Sequence, residues 1–198
     1  MTDQQPDPQA AEILEVLEST GAVLRGHFKL SSGRHSDLFV QKFRVLEHPS
    51  LATRFGSDIA KLFGGEFEAV ASPAVGAIVL GFTTALAAGG RFVFAERVDD
   101  RMTFRRGFGF APGERVLVVE DIVTTGGSAR EVVDAARAAG ANVVGVGVLI
   151  DRGDPARPPD LGVELRSLVR LDVSSWAPDE CPLCKSGVGL EDPGSRRL

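Results

Sequence analysis

The stretch VLVVEDIVTTGGSARE, Val116–Glu131, runs four apolar residues into Glu120 and Asp121, then two threonines, two glycines and a serine. A short apolar run rich in valine predicts a buried strand ending at the two acids. Helical spacing over Ser128–Ala139 predicts a helix, which Gly140 closes. The start of such a helix offers unpaired backbone N–H groups and the positive end of its dipole. Gly126 and Gly127 let that backbone approach a ligand, and Thr124, Thr125 and Ser128 add hydroxyl donors. Together they predict a cradle for a phosphate monoester. Carboxylates accept hydrogen bonds from vicinal hydroxyls and can hold a cation nearby. A ribose 5-phosphate would use both halves, with its hydroxyls on Glu120 and Asp121 and its phosphate on the loop. The plainer reading, a solvated strand end followed by a helix cap, leaves the order of acids, hydroxyls and glycines unexplained.

Outward from this stretch, apolar strands alternate with helices. FEAVASP, RFVFA, ERVLVVED and ANVVGVGVLID read as strands; Pro49–Phe63, Ala77–Ala88 and Ser128–Ala139 read as helices between them. That alternation predicts an α/β fold, a parallel sheet with helices on both faces, with Val163–Leu171 as a further edge strand. Towards the N-terminus, Ala11–Thr20 has helical spacing, and Ala22–Arg44 reads as two strands around SSGRHSD. Residues 1–9 are polar, carry two prolines and read as a frayed end. Glu96–Pro112 is rich in arginine and glycine and reads as a loop with a small hairpin. Ligands of open α/β sheets bind at the carboxyl ends of the strands, where VLVVED leads. Neither the Walker lysine nor a GxGxxG fingerprint is present, which disfavours a P-loop nucleotidase and a Rossmann dehydrogenase.

The 198 residues fit one domain with small additions. A net charge of −5 argues against nucleic acid as the main partner, while a local basic loop can still serve an anionic ligand. No apolar run reaches membrane-spanning length and MTDQQPDPQA lacks a signal pattern, so the expectation is a cytoplasmic protein without a membrane partner. The two cysteines form Cys181-Pro-Leu-Cys184. One CxxC is half of a zinc site, a redox pair or a tight turn, and no second ligand pair stands near it in the sequence, so no protein metal site is expected.

VLVVEDIVTTGGSA closely resembles the signature of type I phosphoribosyltransferases. The resemblance implies a core over about residues 50–172 and a small N-terminal hood from about 20–45 plus the C-terminal segment, all within one phosphoribosyltransferase domain spanning 1–198. It implies a phosphoribosyl pyrophosphate site made of Glu120, Asp121, Ile122, Val123, Thr124, Thr125, Gly126, Gly127 and Ser128, with Mg2+ carried by the donor's pyrophosphate. Within the family, HFKLSSGRHSDLFVQ (His27–Gln41) looks like the N-terminal segment of orotate phosphoribosyltransferases. VLIDRGDP (Val148–Pro155) places Arg152 where those enzymes bind the orotate carboxylate, with Thr124 as the other orotate contact. A planar guanidinium fork suits a carboxylate. SPAVGAI (Ser72–Ile78) sits where the family has its pyrophosphate loop, and the CPLC tail is similar to one in a subset of orotate transferases. The implied activity is transfer of ribose 5-phosphate to orotate in de novo pyrimidine biosynthesis, by a cytoplasmic homodimer. A purine transferase sharing the core, or a non-catalytic sensor of phosphoribosyl pyrophosphate, remains the alternative.

The chain departs from better-known members in its lysines. It has only Lys29, Lys42, Lys61 and Lys185, so the stretch AERVDDRMTFRRGFGF carries neither the lysines nor the histidine of the family's mobile loop. Gly76 and Ser31 stand where many members have lysine. Arginines 97, 101, 105 and 106 can supply charge, and the catalytic set implied is Asp121, Glu120 and Arg97. Arginine keeps its proton, so a charge-stabilising role is expected rather than proton transfer.

Overall fold

The computed structural model describes residues 8–30 and 32–193; the readings made for residues 1–7 and for Ser31 lie outside the described residues. Along the chain the elements are α1 (Pro8–Ser19), β1 (Val23–Lys29), β2 (His35–Val40), α2 (Phe43–Leu46), α3 (Pro49–Leu62), β3 (Ala69–Pro73), α4 (Ile78–Ala88) and β4 (Arg91–Val98). There follow β5 (Arg101–Phe104), β6 (Arg115–Val123), α5 (Gly127–Ala138), β7 (Asn142–Asp151), β8 (Leu165–Arg170), β9 (Ser175–Trp176) and α6 (Pro182–Lys185). Two compact units result, one from Met1–Val45 with Leu171–Leu198 and one from Leu46–Arg170.

The larger unit holds a six-stranded sheet in the order β5-β4-β3-β6-β7-β8. β4, β3, β6, β7 and β8 are parallel, and β5 folds back antiparallel on β4. Strand alternation sorts the side chains between the two faces. Val116, Val118, Val146 and Val148 turn towards Val132, Val133 and Ala136 of α5. On the other face α3 lies close to β7, because Gly145 and Gly147 put no side chain in its way. A Cβ at Gly147 would lie 2.6 Å from Ile59 Cγ2. Gly147→Val is therefore expected to cost about 1–3 kcal/mol by overpacking, read as a lower denaturation midpoint at unchanged slope. A midpoint equal to the parent's would show that α3 gives way freely.

Strand ends differ from the sequence expectation: β6 continues through Val123 and pairs as far as Val123↔Asp151, instead of stopping at the acids. Ile122 and Val123 keep the ladder going, so Glu120 and Asp121 are inside the strand, 7% and 1% exposed. In the arginine-rich segment the expected small hairpin is present, followed by a loop, and only the strand end differs. β4 runs on to Val98, and Asp99 and Asp100 both take positive φ, 47° and 59°, as a two-residue hairpin turn requires. Phe104, Phe108 and Phe110 pack against the apolar cluster beneath α5.

In the smaller unit β1, β2 and β9 form an antiparallel sheet, with Ile13 and Leu17 of α1 fully buried. A register shift between Arg25 and Phe28 breaks the alternation of β1, so the adjacent His27 and Phe28 are both buried. The C-terminal segment returns beside β1. Lys29 N–H donates to Glu191 O and Glu191 N–H to His27 O, each at 2.8 Å.

Candidate functional site

The loop expected to cradle a phosphate lies where β6 hands over to α5. Gly126 takes φ 78° as the residue before α5, and no side chain caps the helix. Its first-turn N–H groups therefore face an open cavity of about 270 Å3, lined by Glu120, Ile122–Ala129 and Glu131. Thr124, Thr125, Gly127 and Ser128 are exposed. Gly126 is needed for space as well as for its φ, since a Cβ there would lie 2.6 Å from Pro159 Cβ and 2.9 Å from Leu161 Cδ2.

The two acids differ. Glu120 lines the cavity, and its Oε1 accepts the Asp121 N–H at 3.1 Å. Asp121 is more deeply set, its Oδ1 accepting the Ile122 N–H at 2.7 Å. Each carboxylate is thereby tied to the strand backbone, which limits its rotation.

Arg152 stands across the ladder from the cradle. Its N–H donates to Val123 O at 2.8 Å, extending the β6–β7 pairing. Its Nε is buried and finds no hydrogen-bond partner among the described residues. Burial lowers its pKa from the ordinary arginine value, the mark of a cation deprived of water. The turn that carries it is fixed from behind. Asp151 Oδ1 accepts the Gly153 N–H at 2.8 Å; Arg170 donates to Asp151 Oδ2 at 2.9 Å and to Gly153 O at 2.7 Å. Asp151 and Arg170 were not singled out by sequence; only their place at neighbouring strand ends could have drawn notice.

Arg97 meets one residue of the cavity lining, Glu131. It lies 3.0 Å from Glu131 Oε2 and donates to Asp100 O at 2.7 Å. Glu131 was also missed, although it closes the decisive stretch and lines the cavity just past the first turn of α5. Its charge would oppose a phosphate there, and Arg97 offsets it. Arg106 is otherwise engaged, in a two-point fork with Glu96 at 2.9 and 3.0 Å that lowers the Glu96 pKa. Arg101 and Arg105 are exposed. In the Ser72–Ile78 loop the Ala74–Val75 peptide is cis, and Ser72 Oγ is buried without a hydrogen-bond partner among the described residues.

Sequence alone found no partner for Cys181 and Cys184. The structure brings His27 and His35 to them: the four ligand atoms all lie within 4.8 Å of one another. The hairpin β1–β2 places both histidines, and no spacing rule links them to a CxxC some 150 positions downstream, at separations of 149 to 157 residues.

Residues 51–179 match the family model described as phosphoribosyl transferase domain. The chain is 47% identical over 188 residues to the orotate phosphoribosyltransferase of Pelotomaculum thermopropionicum, covering 94% of this chain and 98% of that one. Among solved structures, the orotate phosphoribosyltransferase of Aeropyrum pernix is 30% identical with a TM-score of 0.64, over 80% of this chain and 93% of that one. The Mycobacterium tuberculosis orotate phosphoribosyltransferase in complex with 5-phospho-alpha-D-ribosyl 1-diphosphate is 27% identical with a TM-score of 0.66, over 83% of this chain and 97% of that one.

Proposed function

The chain belongs to the orotate phosphoribosyltransferases of the phosphoribosyl transferase family, and from that premise we propose how its residues divide the reaction. It is a pentosyltransferase of pyrimidine biosynthesis. Ribose 5-phosphate passes from phosphoribosyl pyrophosphate to N1 of orotate, giving orotidine 5-phosphate and pyrophosphate.

The C1–O bond to pyrophosphate breaks and a C1–N1 bond to orotate forms. Positive charge builds on the sugar and negative charge on the leaving group. The N–H groups and hydroxyls of Thr124–Ser128 take the 5-phosphate. Glu120 and Asp121 take the ribose hydroxyls and stand near the cationic sugar. Arg97 leaves Glu131 for the pyrophosphate. Orotate already carries negative charge, so no strong general base is required, and none of these arginines would serve as one.

The observation that carries the acceptor assignment is Arg152, a half-buried guanidinium whose Nε has no partner, held beside Thr124 at the end of neighbouring strands. A purine has no carboxylate for it. The test is loss of orotate absorbance with donor and Mg2+, with pyrophosphate release followed for orotate, hypoxanthine, adenine and uracil in turn. Release that depends on a purine instead of orotate would overturn the acceptor assignment. Donor binding with no release would favour a sensor.

Arg170 is read as a positioning residue, since it acts through the Asp151–Gly153 turn. Arg170→Met is expected to raise the KM for orotate about tenfold, with the donor KM little changed. An equal rise in both would show a general loss of structure.

Mg2+ fits this site as a passenger of the donor. A hard cation wants oxygen ligands, and Glu120 and Asp121 would be the protein oxygens beside it, where it would neutralise the leaving group. No helix among the described residues is long and apolar enough to cross a membrane. A cytoplasmic homodimer is our reading from family resemblance, with the smaller unit assigned as the hood. Sedimentation of the active enzyme tests the dimer, and full activity in a monomer would sink it.

A further inference from the structure

We propose that His27, His35, Cys181 and Cys184 form a closed tetrahedral zinc site that ties the C-terminal segment to the β1–β2 hairpin. His27 Nε2 lies 3.1 Å from His35 Nδ1, 3.4 Å from Cys181 Sγ and 3.6 Å from Cys184 Sγ; Cys184 Sγ lies 3.2 Å from His35 Nδ1. Ordinary zinc–nitrogen and zinc–sulfur bonds arranged tetrahedrally put two nitrogens about 3.4 Å apart and a nitrogen and a sulfur about 3.6 Å apart. These four of the six separations fall within a few tenths of an ångström of those figures, and all six lie within 4.8 Å.

Hydrogen bonding alone accounts for the cluster poorly. His27 Nδ1 is 2.9 Å from Val188 O, a carbonyl that can only accept. Nδ1 therefore carries the proton, and Nε2 turns a single lone pair into the cluster. One lone pair cannot serve three neighbours, whereas a central cation satisfies all four ligands at once. The Val188 contact is also the outer partner that metal-bound histidines usually have, fixing tautomer and ring orientation.

Burial suits a structural site. His27 is 1%, His35 6% and Cys181 0% exposed, while Cys184 is at the surface and gives the ion a way in. Two nitrogens and two thiolates leave no open position for substrate, and soft thiolates select zinc over Mg2+. None of the four residues is assigned to the transfer reaction. Their service is to the smaller unit, which joins Met1–Val45 to Leu171–Leu198, and a bound metal would add its binding energy to that junction.

The test uses the full chain, purified under reducing conditions without a histidine tag and supplied with zinc. Elemental analysis should find about one zinc per chain, and cobalt substitution should give a thiolate-to-cobalt charge-transfer band with tetrahedral d–d bands. Cys184→Ser, at the exposed edge, should keep the secondary structure and weaken zinc binding more than about a hundredfold. Chelation should lower the melting temperature of the parent but not of that variant. A folded, reduced chain that takes up less than about a tenth of an equivalent of zinc, or an octahedral cobalt spectrum without the thiolate band, overturns the proposal. So does a Cys181–Cys184 disulfide in protein isolated under the same reducing conditions.

Discussion

Glu120→Gln is expected to lower turnover by about two to three orders of magnitude, the usual cost of removing one group aimed at transition-state charge. Its carboxylate lines the cavity and is held by the Asp121 N–H at 3.1 Å. The amide keeps that hydrogen bond through its oxygen and nearly keeps the volume, so folding should be unaffected. What it loses is negative charge beside a sugar that becomes cationic. The loss should therefore fall on kcat more than on the donor KM. Asp121→Asn is expected to cut turnover strongly as well, since Asn can still accept from Ile122 N–H and the strand should survive. Melting curves accompany both measurements. Parent-like turnover in either variant would remove that residue from the catalytic set, and a proportionate loss of melting temperature would reduce its role to folding.

Arg152→Lys is expected to lower kcat/KM for orotate about a hundredfold, equivalent to about 3 kcal/mol at the transition state. Lysine keeps the charge but replaces a planar fork by a point donor, so two parallel hydrogen bonds to a carboxylate become one. The donor KM should move little, because the phosphate cradle is built from β6 and α5. Uracil shares the orotate ring without its carboxylate. Against the parent enzyme it should react poorly, and the Lys substitution should narrow the gap between the two bases. A drop for both bases by the same factor would show that Arg152 supports the fold of the turn and does not read the carboxylate. The Arg152 Nε, buried and without a hydrogen-bond partner among the described residues, argues against that outcome.

The candidate donor site could be read from sequence because its parts are contiguous. Acids, hydroxyls and glycines within nine positions of one chain can be read against one ligand, and local rules for strand ends and helix starts place them. The alternation that predicts a parallel sheet is likewise local, each strand and helix announcing its own period. Arg152 was legible only through resemblance, since its neighbour Thr124 is brought beside it by β6–β7 pairing. The same pairing carried β6 past its predicted end, because a ladder partner in β7 rewards Ile122 and Val123 for staying extended.

What sequence by itself determined, then, is the parallel core, the cradle of Thr124–Ser128 and the two acids before it. Tertiary structure decided whatever depends on residues far apart in the chain. It paired Arg97 with Glu131, braced the Arg152 turn with Arg170, and carried His27 and His35 to Cys181 and Cys184. The physical reason is that backbone propensities act over a few residues, whereas a charge or a ligand atom finds its partner through space, after the sheet has set which strand ends are neighbours.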